Sequence, residues 1–260
     1  MHVPKTSQVF CIANQKGGVG KTTTTVNLAA ALSALKQKVL LIDLDPQANA
    51  TTSCGLDKNQ LEKSVYEVLI GAYTLDESVQ HSEAGGFDVL GANRDLSGAE
   101  IDLVNMDQRE QQLKRALAQS QLDYDIILID CPPTLSLLTL NGLAAAQGVI
   151  IPMQCEYFAL EGLSDLLNTI KRVGRNINKD LELTGLLRVM FDGRTTLQRQ
   201  VSEQIADHFG RDLFETKIPR NVRLAEAPSH GMPGVVYDKR SRGARAYKEF
   251  GRELLNRIST

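Results

Sequence analysis

The segment Lys16-Gly17-Gly18-Val19-Gly20-Lys21-Thr22-Thr23 constrains this chain more than any other. It lies between a short apolar run, residues 9–14, and a stretch, residues 21–35, where Val26, Leu28, Ala29, Leu32 and Leu35 recur at helical spacing. A glycine-rich turn between a strand and a helix lets successive backbone N–H groups point inward. The helix N-terminus adds its partial positive charge. This is the context a phosphate-binding loop needs. Lys21 is placed to reach β- and γ-phosphates, the Thr22 hydroxyl to ligate Mg²⁺, and Thr23 to meet an α-phosphate. Gln15, Lys16, Gly17, Gly18, Val19 and Gly20 form the rest of the nucleotide-binding loop. Residues 38–45 (KVLLIDLD) follow as a second apolar run, which makes a βαβ unit. Both of its strands read as buried from two sides, as a parallel sheet requires.

The alternation continues to the end of the chain. Strands are expected at 88–92, 124–130, 148–154, 183–191 and 213–218. Helices are expected at 108–120, 160–174, 195–209 and 242–258, while residues 55–107 are the least regular and suit an excursion on the sheet edge. The expected fold is α/β: one domain over residues 1–260 with a doubly wound, mostly parallel sheet and helices on both faces. At 260 residues, 42% hydrophobic and 23% charged, the chain can bury a sizeable core, which excludes bulk disorder. No stretch approaches the roughly 20 apolar residues of a transmembrane helix, and no signal peptide is visible, so the cytoplasm is the expected compartment. Cys11, Cys54, Cys131 and Cys155 form no C-x-x-C pair and no zinc-ligand spacing, so they read as reduced, buried thiols.

Two of the strands end in acid. Asp43 and Asp45 close one, ahead of Pro46-Gln47, and Asp130 closes another, ahead of Cys131-Pro132-Pro133. In an open α/β sheet, ligands sit beyond the strand C-termini, where the glycine loop also lies. Asp130 therefore reads as the Walker B carboxylate that holds Mg²⁺, directly or through water. The competing reading, in which strand-end acids only cap helices or face solvent, is common for a single acid and weaker for three.

The loop departs from the general G-x-x-x-x-G-K-[ST] pattern: Gln15 stands at its first glycine position, and Lys16 follows. KGGVGKTT resembles the deviant Walker A motif of the ParA/MinD superfamily. Residues 218–229 (IPRNVRLAEAPS) and 154–163 (QCEYFALEGL) are also similar to that superfamily, most closely to the ParA/Soj partition ATPases. The resemblance spans about residues 8–255. It implies Mg²⁺-dependent ATP hydrolysis in which Lys16 reaches across a homodimer to the partner's nucleotide. It implies that Asp45 orients the attacking water, that Asp43 supports the metal's outer shell, and that the Pro132-Pro133 turn senses the γ-phosphate. Pro219 and Asn221 would line the adenine. Arg194 and Arg223 match positions that bind DNA without sequence preference, and Arg220, Lys239, Arg240, Arg242, Arg245 and Lys248 would widen that surface. A ParB-type partner would stimulate hydrolysis, and the protein would be cytoplasmic and nucleoid-associated in a bacterium. The rivals are a MinD-like membrane-bound regulator, an iron–sulfur reductase of the same fold, and a related ATPase that positions another cargo. The short C-terminal tail disfavours the first, and the cysteine spacing disfavours the second.

The charge distribution adds a separate hint. The net charge of −2 combines an acid-rich part, residues 1–215, with a C-terminal segment, 216–260, that holds ten Lys/Arg against four acids. Such asymmetry suits an anionic partner for the C-terminal part, although a solvated helix face is as common.

Overall fold

The apolar runs read from the sequence become the central strands of one eight-stranded sheet. The computed structural model describes residues 7–157 and 159–259. The strands are β1 (Gln8–Ile12), β2 (Val39–Asp43), β3 (Gln80–Ser82), β4 (Phe87–Leu90), β5 (Ile126–Asp130), β6 (Gly148–Met153), β7 (Glu182–Phe191) and β8 (Leu213–Pro219). Their order is β3-β4-β2-β5-β1-β6-β7-β8, and every pair is parallel except β3–β4. The sheet is therefore mostly parallel and doubly wound, as expected. Residues 55–107 do form the excursion at its edge.

Side chains alternate between two cores because successive strand residues point to opposite faces. Val9, Cys11, Leu40, Ile42, Ile127 and Ile129 face one cluster, shared with helices Gln112–Gln119, Leu137–Ala145, Ala159–Asn176 and Thr196–Phe209. Phe10, Ile12, Val39, Leu41, Ile126 and Leu128 face the other, covered by α1 (Lys21–Ala34) and the C-terminal helix Arg242–Ile258. These two helices cross closely: a Cβ on Gly251 would sit 3.4 Å from the Ala31 Cβ. The buried hydroxyls of Thr24 and Tyr247 lie 3.1 Å apart within that packing. All four cysteines are buried and free, with the Cys131 and Cys11 sulfurs 3.8 Å apart.

Several elements are absent from the sequence reading, a helix and an edge strand among them. The helix Leu137–Ala145 (LLTLNGLAA) shows no amphipathic period because it is mostly buried, and β3 is a three-residue antiparallel strand with little apolar signal. The edge strand β8 is also irregular. Leu186 pairs with Leu213 and Arg188 with Lys217, so one intervening β7 residue opposes three on β8. Such a bulge interrupts the ladder and leaves backbone groups to be satisfied otherwise. Arg188, buried in the sheet, donates through Nη2 to the carbonyls of Phe214 (2.6 Å) and Glu215 (3.2 Å), and through Nη1 to Ser202 Oγ (3.0 Å). From the other side, the Glu253 carboxylate accepts from the Glu215 N–H (2.7 Å) and the Thr216 N–H (3.0 Å). Glu253→Ala leaves both amides without that partner and is expected to lower the unfolding free energy by about 1–2 kcal/mol. Glu253→Gln, which keeps an acceptor oxygen, is expected to lose less; urea denaturation of both variants checks the order.

Candidate active site

Register sets the floor of the site. Ile12 pairs with Asp130 across β1–β5, and Asp130 pairs with Asp43 across β5–β2. The glycine loop leaves β1 at Ile12, so it starts in the same row as the two carboxylates. It ends at Gly20, which takes a left-handed conformation (φ 75°) as the residue before α1. Gly18 is also left-handed (φ 72°), and open space surrounds its missing Cβ, so backbone conformation is what calls for glycine there. No side chain caps α1. Its first N–H groups therefore remain available to an anion. Lys21, the first residue of α1, is buried and directs Nζ to the Lys16 carbonyl at 3.2 Å. Burial lowers its pKa, and the charges of Asp130 and Asp45 oppose that shift.

The carboxylates behave differently. Asp130 is fully buried and accepts from Thr22 Oγ1 (2.7 Å) and Thr25 Oγ1 (3.0 Å), one on each oxygen. Burial, reinforced by the neighbouring Asp43 charge, raises its pKa to about 8. Asp43 is also fully buried and is raised to about 6 by burial. Its oxygens are already engaged: Oδ2 by the Thr51 N–H (2.8 Å) and hydroxyl (2.7 Å), Oδ1 by the Asp45 N–H (3.1 Å). Asp43 thus ties the short helix α2 (Asn49–Ser53) and the Asp45 loop to β2. Asp45 itself is partly exposed and accepts from the Gln47 N–H at 2.9 Å. Among the described residues, no cluster of three or more His, Cys, Asp or Glu forms a metal cage. A hydroxyl and a carboxylate at 2.7 Å suit Mg²⁺ instead, which takes one or two protein ligands and completes its shell with phosphate and water oxygens.

Other expected residues lie at varying distances from this floor. Lys16 is exposed and its Nζ is paired with the Glu156 carboxylate; its N–H donates to Asn14 Oδ1 at 3.0 Å. Gln15 is exposed, whereas Val19 is buried. Pro219 ends β8, and the Asn221 Oδ1 caps the helix Val222–Glu226 by accepting from the Leu224 N–H at 3.3 Å. A cavity of about 270 Å³ opens beside Thr22 and Thr23, between α2 and the turn that carries Pro228, Met232 and Pro233; Pro219 and Asn221 do not line it. Arg220, Arg242 and Arg245 are exposed and Lys248 is half-buried. Arg223 pairs with Glu226 (2.8 Å) and Asp238 (3.7 Å). Arg194 grips Asp192 with two nitrogens and holds that carboxyl down to about 2. In the segment 154–163, Phe158 lies outside the described residues.

Thr25, Thr51 and Met190 were not singled out from sequence, and Gln154 and Glu156 entered only as members of the segment 154–163. Thr25 had a signal, since three-residue spacing in a helix puts it on the face of Thr22. Thr51 lies only eight residues beyond Asp43, while Met190, Gln154 and Glu156 reach the site from remote segments, and no local pattern gives those contacts.

Asp130 also makes the site sensitive to pH. Its unfolded pKa is about 4 and its folded value about 8, so the native state holds an extra proton between those limits. Stability of the nucleotide-free protein therefore falls as pH rises through that window. Metal-free Asp130→Asn is expected to melt roughly 5 °C above the parent protein at pH 8, with a smaller difference near pH 4. The same variant should lose Mg²⁺-dependent hydrolysis; calorimetric scans and phosphate release measure the two effects.

Comparison with known proteins agrees with this geometry. The family described as AAA domain matches residues 7–183. The chain is 49% identical over 247 residues to the sporulation initiation inhibitor protein Soj of Bacillus subtilis, covering 95% of this chain and 98% of that protein. It is 48% identical over 250 residues to the chromosome partitioning protein ParA of Myxococcus xanthus, covering 96% and 88%. Among solved structures, a cobyrinic acid a,c-diamide synthase from Mycobacterium smegmatis with bound ADP and magnesium matches with a TM-score of 0.86 and 42% identity, covering 98% and 96%. A glycine loop on an uncapped helix, a buried carboxylate row and near-full-length likeness to these proteins converge on one conclusion: the chain belongs to the ParA/Soj family of P-loop ATPases, with ATP and Mg²⁺ as its cofactors.

Proposed function

We propose that this ATPase is a partition motor that dimerises on ATP, binds DNA without sequence preference and segregates chromosome or plasmid DNA with a ParB-type partner. The observation that carries the reading is where the basic C-terminal segment sits. The Val235 N–H donates to Asn27 Oδ1 of α1 at 2.8 Å, so the chain after Arg223 is pinned to the helix that follows the glycine loop. Gly231, in the same segment, approaches the backbone of Gly55, just beyond α2; a Cβ on Gly55 would lie 3.0 Å from the Gly231 carbonyl. Nucleotide-dependent movement of α1 or α2 would therefore be felt at Arg220, Arg223, Arg242 and Arg245. The ion pairs of Arg223 and Arg194 are exposed and individually weak, so phosphates can replace Glu226, Asp238 and Asp192 as their partners. Among the described residues no helix is long and apolar enough to cross a membrane.

For hydrolysis, Lys21 would turn from the Lys16 carbonyl to the β- and γ-phosphates. Residues 15–20 would wrap them with backbone N–H groups, and Thr23 would meet the α-phosphate. Thr22 and Asp130 would hold Mg²⁺, with Asp43 fixing the surrounding loop. The metal, when bound, offsets charge on the transferring phosphoryl group. Asp45 would orient the attacking water, and Lys16 would exchange Glu156 for the nucleotide of a second copy. Pro219 and Asn221 would flank the adenine.

A DNA titration with ATP, with ADP and without nucleotide tests the reading: tight, sequence-independent binding is expected with ATP alone. Binding indifferent to nucleotide, or none, would point to other ATPases of this fold. Arg223→Glu is expected to weaken binding across all DNA sequences and to reduce the salt dependence by about one unit of slope, with ATP affinity unchanged. Asp45→Ala is expected to bind ATP yet turn over at least about 100-fold more slowly, leaving the protein on DNA; phosphate release and DNA dissociation kinetics check both effects.

A further inference from the structure

We propose that Gln154 is a positioning residue for ATP binding, which sets the orientation of the Gly18–Val19 peptide in the phosphate loop and uses Met190 as its backstop. Gln154 lies just beyond the end of β6 and is partly buried. Its Nε2 donates to the Gly18 carbonyl at 3.0 Å and to Met190 Sδ at 3.3 Å. Both amide protons of one side chain are thus committed, one to the loop and one to the residue behind it.

In a trans peptide the carbonyl and the following N–H point in opposite directions. Holding the Gly18 oxygen toward Gln154 therefore turns the Val19 N–H away from it, across the loop. A Cβ on Gly17 or Gly18 would meet nothing within 4 Å, so no side-chain packing fixes the Gly18 carbonyl, although Val19 beside it is buried. The loop has other pins. Asn14 Nδ2 donates to the Pro152 carbonyl of β6 at 2.8 Å, which fixes the start of the loop. Lys21 holds the Lys16 carbonyl, but that bond is given up when the ammonium turns to phosphate. Gln154 is the pin at the crest that survives this exchange.

Met190 supplies the second, independent observation. It has φ of 51° within β7, where the register against β8 shifts between Arg188 and Phe191. A left-handed backbone is unfavourable for a residue with a Cβ, and it persists where the surroundings impose it. Here it brings the thioether against the loop: the methyl carbon lies 3.7 Å from the position of a Cβ on Gly20. Met190 thus meets both the end of the loop and the amide that orients its crest.

The test is a fluorescence titration with a mant-labelled ADP and ATP in Mg²⁺, using the full chain. Gln154→Leu removes the donor, and Gln154→Glu keeps the shape but faces the Gly18 carbonyl with an acceptor. Both are expected to raise Kd roughly tenfold, because one hydrogen bond to a charged phosphate is misdirected. KM for ATP should rise in step, while the melting temperature of nucleotide-free protein stays within about 2 °C of the parent. Met190→Leu keeps the bulk and removes the sulfur acceptor, so a smaller rise of about threefold is expected. Nucleotide affinities within twofold of the parent for both Gln154 variants would overturn the proposal. So would affinity losses that track a fall in the nucleotide-free melting temperature, since those assign Gln154 to general stability. Failure of the parent protein itself to bind ADP would instead overturn the reading of the nucleotide site on which this rests.

Discussion

The parallel register of β1, β5 and β2 is the constraint on which the rest of the site depends. It places Ile12, Asp130 and Asp43 in one row at the carboxyl ends of three buried strands. The loop that leaves Ile12 must therefore arch over two carboxylates, and the helix it feeds begins with a lysine above them. A one-residue slip in a strand would exchange every inward side chain for its outward neighbour. With both faces of the sheet packed against apolar helices, that slip is strongly opposed, and so the chemistry inherits its geometry from the core.

That arrangement carries a built-in tension. Two fully buried carboxyls stand side by side, and burial pushes both upward, Asp130 furthest. Asp43 resolves the tension locally, through three hydrogen bonds that fasten α2 and the Asp45 loop. Asp130 resolves it only in part, through two threonine hydroxyls. A Mg²⁺ ion held by Thr22 and Asp130 would place positive charge beside Asp130 and favour its ionised form. Folding energy from the two apolar cores holds both buried carboxyls in place.

The same economy is visible at β8. Its bulge would leave backbone groups unpaired at the edge of the sheet, and Arg188 and Glu253 satisfy them from opposite sides. A buried arginine bound to carbonyls rather than to a carboxylate is therefore explained by ladder geometry. Glu253 comes from the C-terminal helix, which also packs on α1, so the edge strand and the helix behind the phosphate loop share one support.

Much of this was legible in the chain itself. The glycine loop, the apolar runs ending in Asp43 and Asp130, and the alternation of strand and helix are local patterns. They rest on backbone sterics and side-chain period, and the sheet follows from them. The basic character of residues 216–260 was equally plain. What local pattern could not supply is every contact made between distant segments. Gln154 on the Gly18 carbonyl, Glu156 on Lys16 and Gly231 against Gly55 join residues more than a hundred positions apart. The helix Leu137–Ala145 escaped for a related reason, since burial on nearly all sides erases the period that reveals a helix. Sequence determined the engine's parts and their order, because those follow from local propensity and pattern. Tertiary structure alone decided which side chains brace the loop and which strand-end acid stays available to a metal, because that depends on what packing brings within hydrogen-bond reach.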